Sequence, residues 1–199
     1  MAGARSEPGF DRELSEVPPA LRWGEWMRRI EAALFASAAP VPREALARLV
    51  GQGASVDLLV EDLAAELEGR AFEVRKAAGG WMLRTRPAYA EAVRAAADVT
   101  DQALDLREFD LAVLAAIAYH QPIPRDGLKE IFGKEISRDV IGRLHACDLI
   151  ATGPRSPRRG APYTYVTTAH FLVAFGLESL RELPDREMLA DAGIGATVD

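Results

Sequence analysis

The sequence predicts an α+β protein, mostly α-helical, in which one small fold is used twice. The first observation is a duplicated phrase, since residues 40–51 (PVPREALARLVG) return as residues 122–133 (PIPRDGLKEIFG). The second is that the same offset of 82 residues carries Ser55 onto Ser137. Because this period is far longer than the roughly 20 to 50 residues of a solenoid unit, each copy can bury its own core. We therefore expect two small tandem domains.

The first copy contains three helices, a hairpin and a closing helix. Apolar residues at helical spacing predict a helix from about Gly24 to Ser37, and Ser55 is placed to cap a later helix that ends at Gly69. Alternating residues on both sides of a glycine turn predict a β-hairpin. The remaining segments are a short helix from Arg43 to Val50, hairpin strands at 72–76 and 81–85, and a last helix over 87–97 with Tyr89 and Val93 turned inward.

The second copy repeats this order. Its predicted elements are helices over 107–120, 125–132 and 169–175, a further helix that Ser137 caps and that runs through Val140, Ile141 and Leu144, the cap Thr168, and hairpin strands at 149–151 and 163–167. A helix-turn-helix followed by a β-hairpin is typical of a winged helix. We therefore predict two tandem winged-helix domains.

Composition places the domain boundaries and the compartment. We predict a disordered leader at 1–21, domain 1 at 22–97, an acidic linker at 98–104, domain 2 at 105–178 and a tail at 179–199. The longest apolar run, residues 111–119, is shorter than the roughly 20 residues that cross a bilayer. A single cysteine, Cys147, excludes an internal disulfide. We expect a cytoplasmic protein with no membrane segment.

The distribution of charge argues against tight binding to nucleic acid. Residues 22–97 carry 11 bases and 10 acids, and residues 105–180 carry 9 of each. Proteins that hold DNA tightly usually show a basic excess, because phosphate neutralisation supplies much of the affinity. The basic stretch without acids is Arg155, Arg158 and Arg159, in the loop of the second hairpin. We expect at most weak, sequence-independent DNA contact there.

No pattern of catalytic residues stands out. The sequence lacks a nucleophile elbow and a cluster of metal ligands, so we predict a non-enzymatic protein that needs no cofactor. Trp23, Trp26 and Ile30 lie at the start of the first helix, where large apolar side chains often anchor protein contacts. They are candidates for a dimer interface. Packing in the core of domain 1 is an equal alternative for the two tryptophans.

Three segments carry a resemblance to a known family. They are residues 115–125 (AAIAYHQPIPR), 160–168 (GAPYTYVTT) and 171–184 (FLVAFGLESLRELP). In this order and spacing they resemble the segregation and condensation protein B family, and the resemblance runs from about Trp26 to Pro184.

The resemblance implies tandem winged helices that pair as a homodimer through domain 1. It also implies binding to the kleisin subunit, segregation and condensation protein A, and through it to the ATPase of the structural-maintenance-of-chromosomes complex. Candidate kleisin contacts, with core or turn positions as the alternative, are Tyr119, Gln121, Ile123, Phe171, Phe175 and Leu177. A DNA-binding transcription regulator remains the second hypothesis.

Overall fold

A computed structural model describes residues 10–96, 106–157, 160 and 162–184. The chain divides into two compact units, unit 1 (residues 1–96) and unit 2 (residues 97–199). Both combine helices with a small antiparallel sheet, which confirms the α+β class. The predicted linker, 98–104, lies outside the described residues.

Unit 1 packs its helices against a three-stranded sheet with the order β1-β3-β2. Its elements are α1 (Pro19–Ala36), β1 (Val41–Pro42), α2 (Arg43–Leu46), α3 (Val56–Glu66), β2 (Phe72–Ala77), β3 (Gly80–Thr85) and, after a 3-10 turn at Pro87–Tyr89, α4 (Ala90–Ala96). Fully buried side chains such as Ile30, Leu34 and Leu59 form its core. The predicted cap of α3 is confirmed, since the Ser55 hydroxyl accepts a hydrogen bond from the Leu58 N–H at 3.4 Å.

Unit 2 repeats this order with a sheet arranged β4-β6-β5. Its elements are α5 (Glu108–His120), β4 (Ile123–Pro124), α6 (Arg125–Phe132), α7 (Arg138–Ala146), β5 (Ile150–Arg155), β6 (Tyr163–Thr167), α8 (Ala169–Phe175) and a 3-10 turn at Leu180–Glu182. Ser137 caps α7 and Thr168 caps α8, as predicted. The core is built from apolar side chains of α5, α6 and α7.

Three sequence predictions about unit 1 are wrong. Residues 10–21 are not a disordered leader, because Leu14 is only 5% exposed and α1 already begins at Pro19. The helix that starts at Arg43 ends at Leu46 rather than Val50. Tyr89 and Val93 do not point inward, since they are 42% and 47% exposed and α4 buries none of its residues.

Candidate functional site

The candidate contacts at the end of α5 are mostly tied to unit 2 itself. The Tyr119 hydroxyl donates a hydrogen bond to the Pro184 carbonyl at 2.6 Å. The Gln121 amide oxygen accepts from the Thr167 N–H at 2.8 Å, and its nitrogen donates to the Thr167 hydroxyl at 3.0 Å. Ile123 pairs with Tyr165 and is 5% exposed. Gln121 therefore connects α5 to β6, and the prediction that Ile123 offers a partner a free side chain is wrong.

The candidate contacts on α8 differ in exposure. Phe171 is 4% exposed in the core, so its prediction as a contact residue is wrong as well. Phe175 stacks on it with ring centroids 4.9 Å apart and is 45% exposed. Leu177 is half-buried, and its N–H donates to the Leu172 carbonyl at 2.8 Å. We call Phe175, Leu172 and Leu177 the α8 surface. The buried ring of Phe171 lies beneath it and supports the exposed ring of Phe175.

The candidate dimer residues make contacts within unit 1. Ile30 is fully buried, so it cannot touch a second copy. Trp23 is half-buried and donates from its indole N–H to the Asp62 carboxylate at 2.7 Å, while the indole N–H of Trp26 donates to the Arg12 carbonyl at 2.9 Å. Both rings pack against the core. These contacts support core packing, the alternative considered for the two tryptophans.

Sequence reasoning missed the most exposed aromatic side chain of unit 1. Phe35, on the last turn of α1, is 83% exposed. It directly follows Leu34, which is 1% exposed, because successive helical residues point about 100° apart. Comparing Phe35 with the spacing of Met27, Ile30 and Leu34 would have placed it outside the buried stripe.

Of the three arginines expected in the loop of the second hairpin, the structure describes Arg155, which is the last residue of β5 rather than part of the loop. The Arg155 guanidinium lies 4.3 Å from the centre of the Tyr163 ring and donates a hydrogen bond to the Tyr163 hydroxyl at 2.7 Å. Arg158 and Arg159 lie outside the described residues. Thr164 fastens the strand ends by donating to the Pro154 carbonyl at 2.6 Å. Arg155 is thus held against its own hairpin.

The helices that would face a DNA groove offer little positive charge. In α7 the Arg143 guanidinium turns toward α5 and forms two hydrogen bonds with the Asp110 carboxylate, at 2.6 and 2.9 Å. These bonds hold the pKa of Asp110 below its usual value, against the effect of its burial. In α3 the exposed acid Asp57 is paired with Arg43 at 3.0 Å. A phosphate backbone would meet mainly carboxylates on α3 and one exposed base, Arg138, on α7.

Metal binding and membrane crossing each require a recognisable arrangement of residues. Within the described ranges, no group of three or more histidine, cysteine, aspartate or glutamate residues is arranged to hold a metal ion. None of the helices in those ranges has the length and apolar character required to cross a membrane.

Comparisons with known proteins show which family the chain is similar to. The family model "Segregation and condensation complex subunit ScpB" matches residues 28–186. The chain is 34% identical over 169 residues to segregation and condensation protein B of Symbiobacterium thermophilum, covering 83% of this chain and 76% of that protein. It is 31% identical over 183 residues to the segregation and condensation protein B homolog of Coxiella burnetii, covering 89% and 83%.

A solved structure is also similar. It is the crystal structure of ScpB from Mycobacterium tuberculosis, with 28% identity, a TM-score of 0.37, and coverage of 78% of this chain and 97% of that one. Because the family model spans most of the chain and curated relatives exceed 30% identity over most of their length, this chain belongs to the family of segregation and condensation complex subunit ScpB.

Proposed function

We propose that the chain is a non-enzymatic accessory subunit of a bacterial chromosome segregation and condensation complex. It acts as a homodimer of tandem winged helices and binds the kleisin subunit, segregation and condensation protein A. Through the kleisin it joins the ATPase of the structural-maintenance-of-chromosomes complex at the nucleoid. Membership of the family supports the complex, and the order of helices and hairpin in each unit supports the winged helices.

The observation that carries the kleisin proposal is the α8 surface. An exposed phenylalanine seated on a buried one is a rigid apolar anchor, and such aromatic side chains contribute strongly to protein interfaces. Burying the 45% of Phe175 that is exposed would add hydrophobic stabilisation without reorganising the core. Tyr119 and Gln121 have a supporting role here, because they hold α5 against the end of unit 2. The surface therefore suits an apolar side chain of the kleisin.

The dimer needs a surface other than the one the tryptophans suggested. Phe35 is the candidate in unit 1, because an aromatic side chain 83% exposed on a stable helix costs little to order on binding. The transcription-regulator alternative is not favoured, since Arg143 is paired with Asp110 and α3 is acidic. DNA contact at Arg155 would be weak and independent of sequence.

A co-purification experiment tests the α8 surface. We expect Phe175→Ser to lower the affinity of the chain for a kleisin fragment at least tenfold, because the anchor side chain is lost. The matched control is Leu111→Ser, which removes a 43% exposed side chain from α5 of the same unit. Both variants are compared with the wild type by titration calorimetry after circular dichroism has shown that they fold.

The control separates two ways in which the proposal can fail. If Leu111→Ser lowers the affinity for the kleisin fragment and Phe175→Ser does not, the contact surface lies on α5 instead of α8. A wild-type chain that does not bind the kleisin fragment at all would refute the proposed function.

A further inference from the structure

The hairpin of unit 1 concentrates positive charge. Residues 69–86, from the turn after α3 to the residue after β3, contain five bases and one acid. The bases are Arg70, Arg75, Lys76, Arg84 and Arg86, and the acid is Glu73. Since residues 22–97 carry 11 bases and 10 acids, six bases and nine acids remain for the rest of that range. The nearly balanced charge of domain 1 therefore hides a strongly basic hairpin.

The single acid of this hairpin is engaged through both of its oxygens. Oε1 of Glu73 lies 3.2 Å from Nε of Arg75, and Oε2 accepts a hydrogen bond from Nη1 of Arg86 at 2.8 Å. Arg86 also donates to the Arg70 carbonyl at 3.0 Å, so its guanidinium fastens the two ends of the hairpin together. Arg84 lies opposite Glu73 in the sheet, yet neither its side chain nor that of Arg70 forms an ion pair with any residue that the structure describes. Two arginines are thus left without a carboxylate.

The excess charge lies on the outer face of the sheet. Side chains alternate between the two faces of a strand, and Val74 and Leu83 pack against the core of unit 1. Arg75 and Arg84, each one residue further along, therefore point to the opposite face, where 61% of the Arg75 side chain is exposed. The acids of α3 lie behind the sheet, because α3 packs against the same core. We call Arg75 and Arg84, with the exposed Arg70 beside the start of β2, the basic face.

The layout of the basic face suits an extended polyanion better than a small anion. Arg75 and Arg84 are diagonal neighbours on paired strands, a relation that separates their positions by about 7–8 Å. Guanidinium groups spread in this way over a sheet can each take a different phosphate of a backbone whose charges repeat along a line. A duplex of DNA offers such a backbone.

We propose that the basic face contacts the phosphate backbone of duplex DNA, weakly and independently of sequence. The inference rests on the proposed function, which brings the chain to the chromosome. It names a site in unit 1, whereas Arg155 belongs to unit 2. Because the whole chain has a net charge of -6, we expect a dissociation constant of roughly 10⁻⁶ to 10⁻⁴ M at physiological salt, as in other nonspecific complexes.

Binding of the full chain to a fluorescently labelled DNA duplex tests the proposal. The anisotropy of a mixed-sequence duplex is measured between about 50 and 200 mM salt. We expect Arg75→Gln combined with Arg84→Gln to lower the affinity about tenfold at the lower salt concentration. The slope of log K against log salt should become shallower by about 2, since each lost phosphate contact removes about one released counterion.

Two matched variants separate a local contact from a change in overall charge or in folding. Arg28→Gln combined with Arg48→Gln removes the same charge from exposed arginines outside the hairpin, and its affinity should stay within about threefold of the wild type. Arg75→Lys combined with Arg84→Lys keeps both charges and should retain the salt slope of the wild type. Circular dichroism checks that every variant is folded.

Three results would overturn the proposal. The first is a wild-type chain that does not bind the duplex at about 50 mM salt. The second is an equal loss of affinity in the glutamine variant of the basic face and in the Arg28 and Arg48 control. The third is polyglutamate that binds as tightly as the duplex and is lost with the same variant, which would assign the basic face to an acidic protein.

Titration of the same chain with the kleisin fragment keeps this proposal apart from the proposed function. A chain that binds the kleisin fragment but not DNA contradicts the basic face alone. A chain that binds DNA through the basic face but ignores the kleisin contradicts the proposed function alone.

Discussion

At the scale of single residues, the pair of Asp110 and Arg143 decides what α7 can do. The Asp110 carboxylate is fully buried and also accepts from the Arg107 N–H at 3.1 Å, at the start of α5. Arg143 keeps a side chain that is 34% exposed but directs its guanidinium inward. The same arginine counts as a candidate base for DNA when charges are summed along the sequence. Its partner lies 33 residues upstream, a contact that no local pattern indicates.

Removing the charge of Asp110 tests this pairing. Asp110→Asn keeps the shape of the side chain but leaves the Arg143 guanidinium without its ion pair, so we expect the free energy of unfolding to fall by about 2 kcal/mol at pH 7. Urea denaturation of the two proteins measures it. A change within 0.5 kcal/mol, roughly that of an ordinary surface substitution, would contradict the structural role.

The acid dependence follows from the sign of the pKa shift. The Arg143 guanidinium lowers the pKa of folded Asp110 below the value of about 3.9 found in unfolded chains. A carboxyl of this kind stabilises the fold above pH 4 and loses that contribution as the pH falls through its folded pKa. The stability difference between wild type and Asp110→Asn should be constant from pH 7 to about pH 4 and shrink below it. A difference that persists unchanged at pH 2 would contradict this assignment.

At the scale of elements, helices and hairpins could be predicted and the third strand of each sheet could not. The caps Ser55, Ser137 and Thr168 were predicted correctly, because capping is a local interaction between residues that lie close together in the sequence. β1 and β4 have two residues each and include a proline, which is a turn signal in a sequence. They are strands because β1 pairs with β3 and β4 pairs with β6, and these partners lie far away in the sequence.

The contact between β1 and β3 depends on a glycine. A Cβ atom at Gly80 would lie 2.8 Å from the Val41 carbonyl oxygen, which is backbone and cannot move aside easily. We expect Gly80→Ala to lower the free energy of unfolding by about 1–3 kcal/mol, as overpacking does. Thermal and urea denaturation measure the effect. The control is Gly53→Ala, which has open space around it, and an equal loss in both variants would contradict the close approach.

At the scale of the whole molecule, the duplication explains why so much of the fold was visible in the sequence. Both copies share the proline-containing phrase at 40–51 and 122–133, the caps Ser55 and Ser137, and the order of helices and hairpin, so one copy supports the interpretation of the other. The surfaces were harder to predict, because exposure depends on how elements pack. Ile30 and Phe171 looked like contact residues and are buried, whereas Phe35 is exposed. The ordered segment 10–17 was missed because its polar composition is typical of a disordered end.

The function that we propose at this scale is assembly with other polypeptides. Helices that lack a basic face and carry isolated apolar anchors suit a protein partner better than a polyanion. Phe35 in unit 1 and Phe175 in unit 2 would then serve different partners, a second copy and the kleisin. Under the proposed function, a homodimer would present two α8 surfaces to the kleisin.

The mass of the complex tests this account most directly. The chain is mixed with a kleisin fragment and the assembly is weighed by native mass spectrometry in physiological salt, with Phe35→Ser as the variant that should lose the second copy. The account predicts a tight complex of two copies of this chain with one kleisin fragment. A chain that remains monomeric and does not bind the kleisin fragment would contradict it.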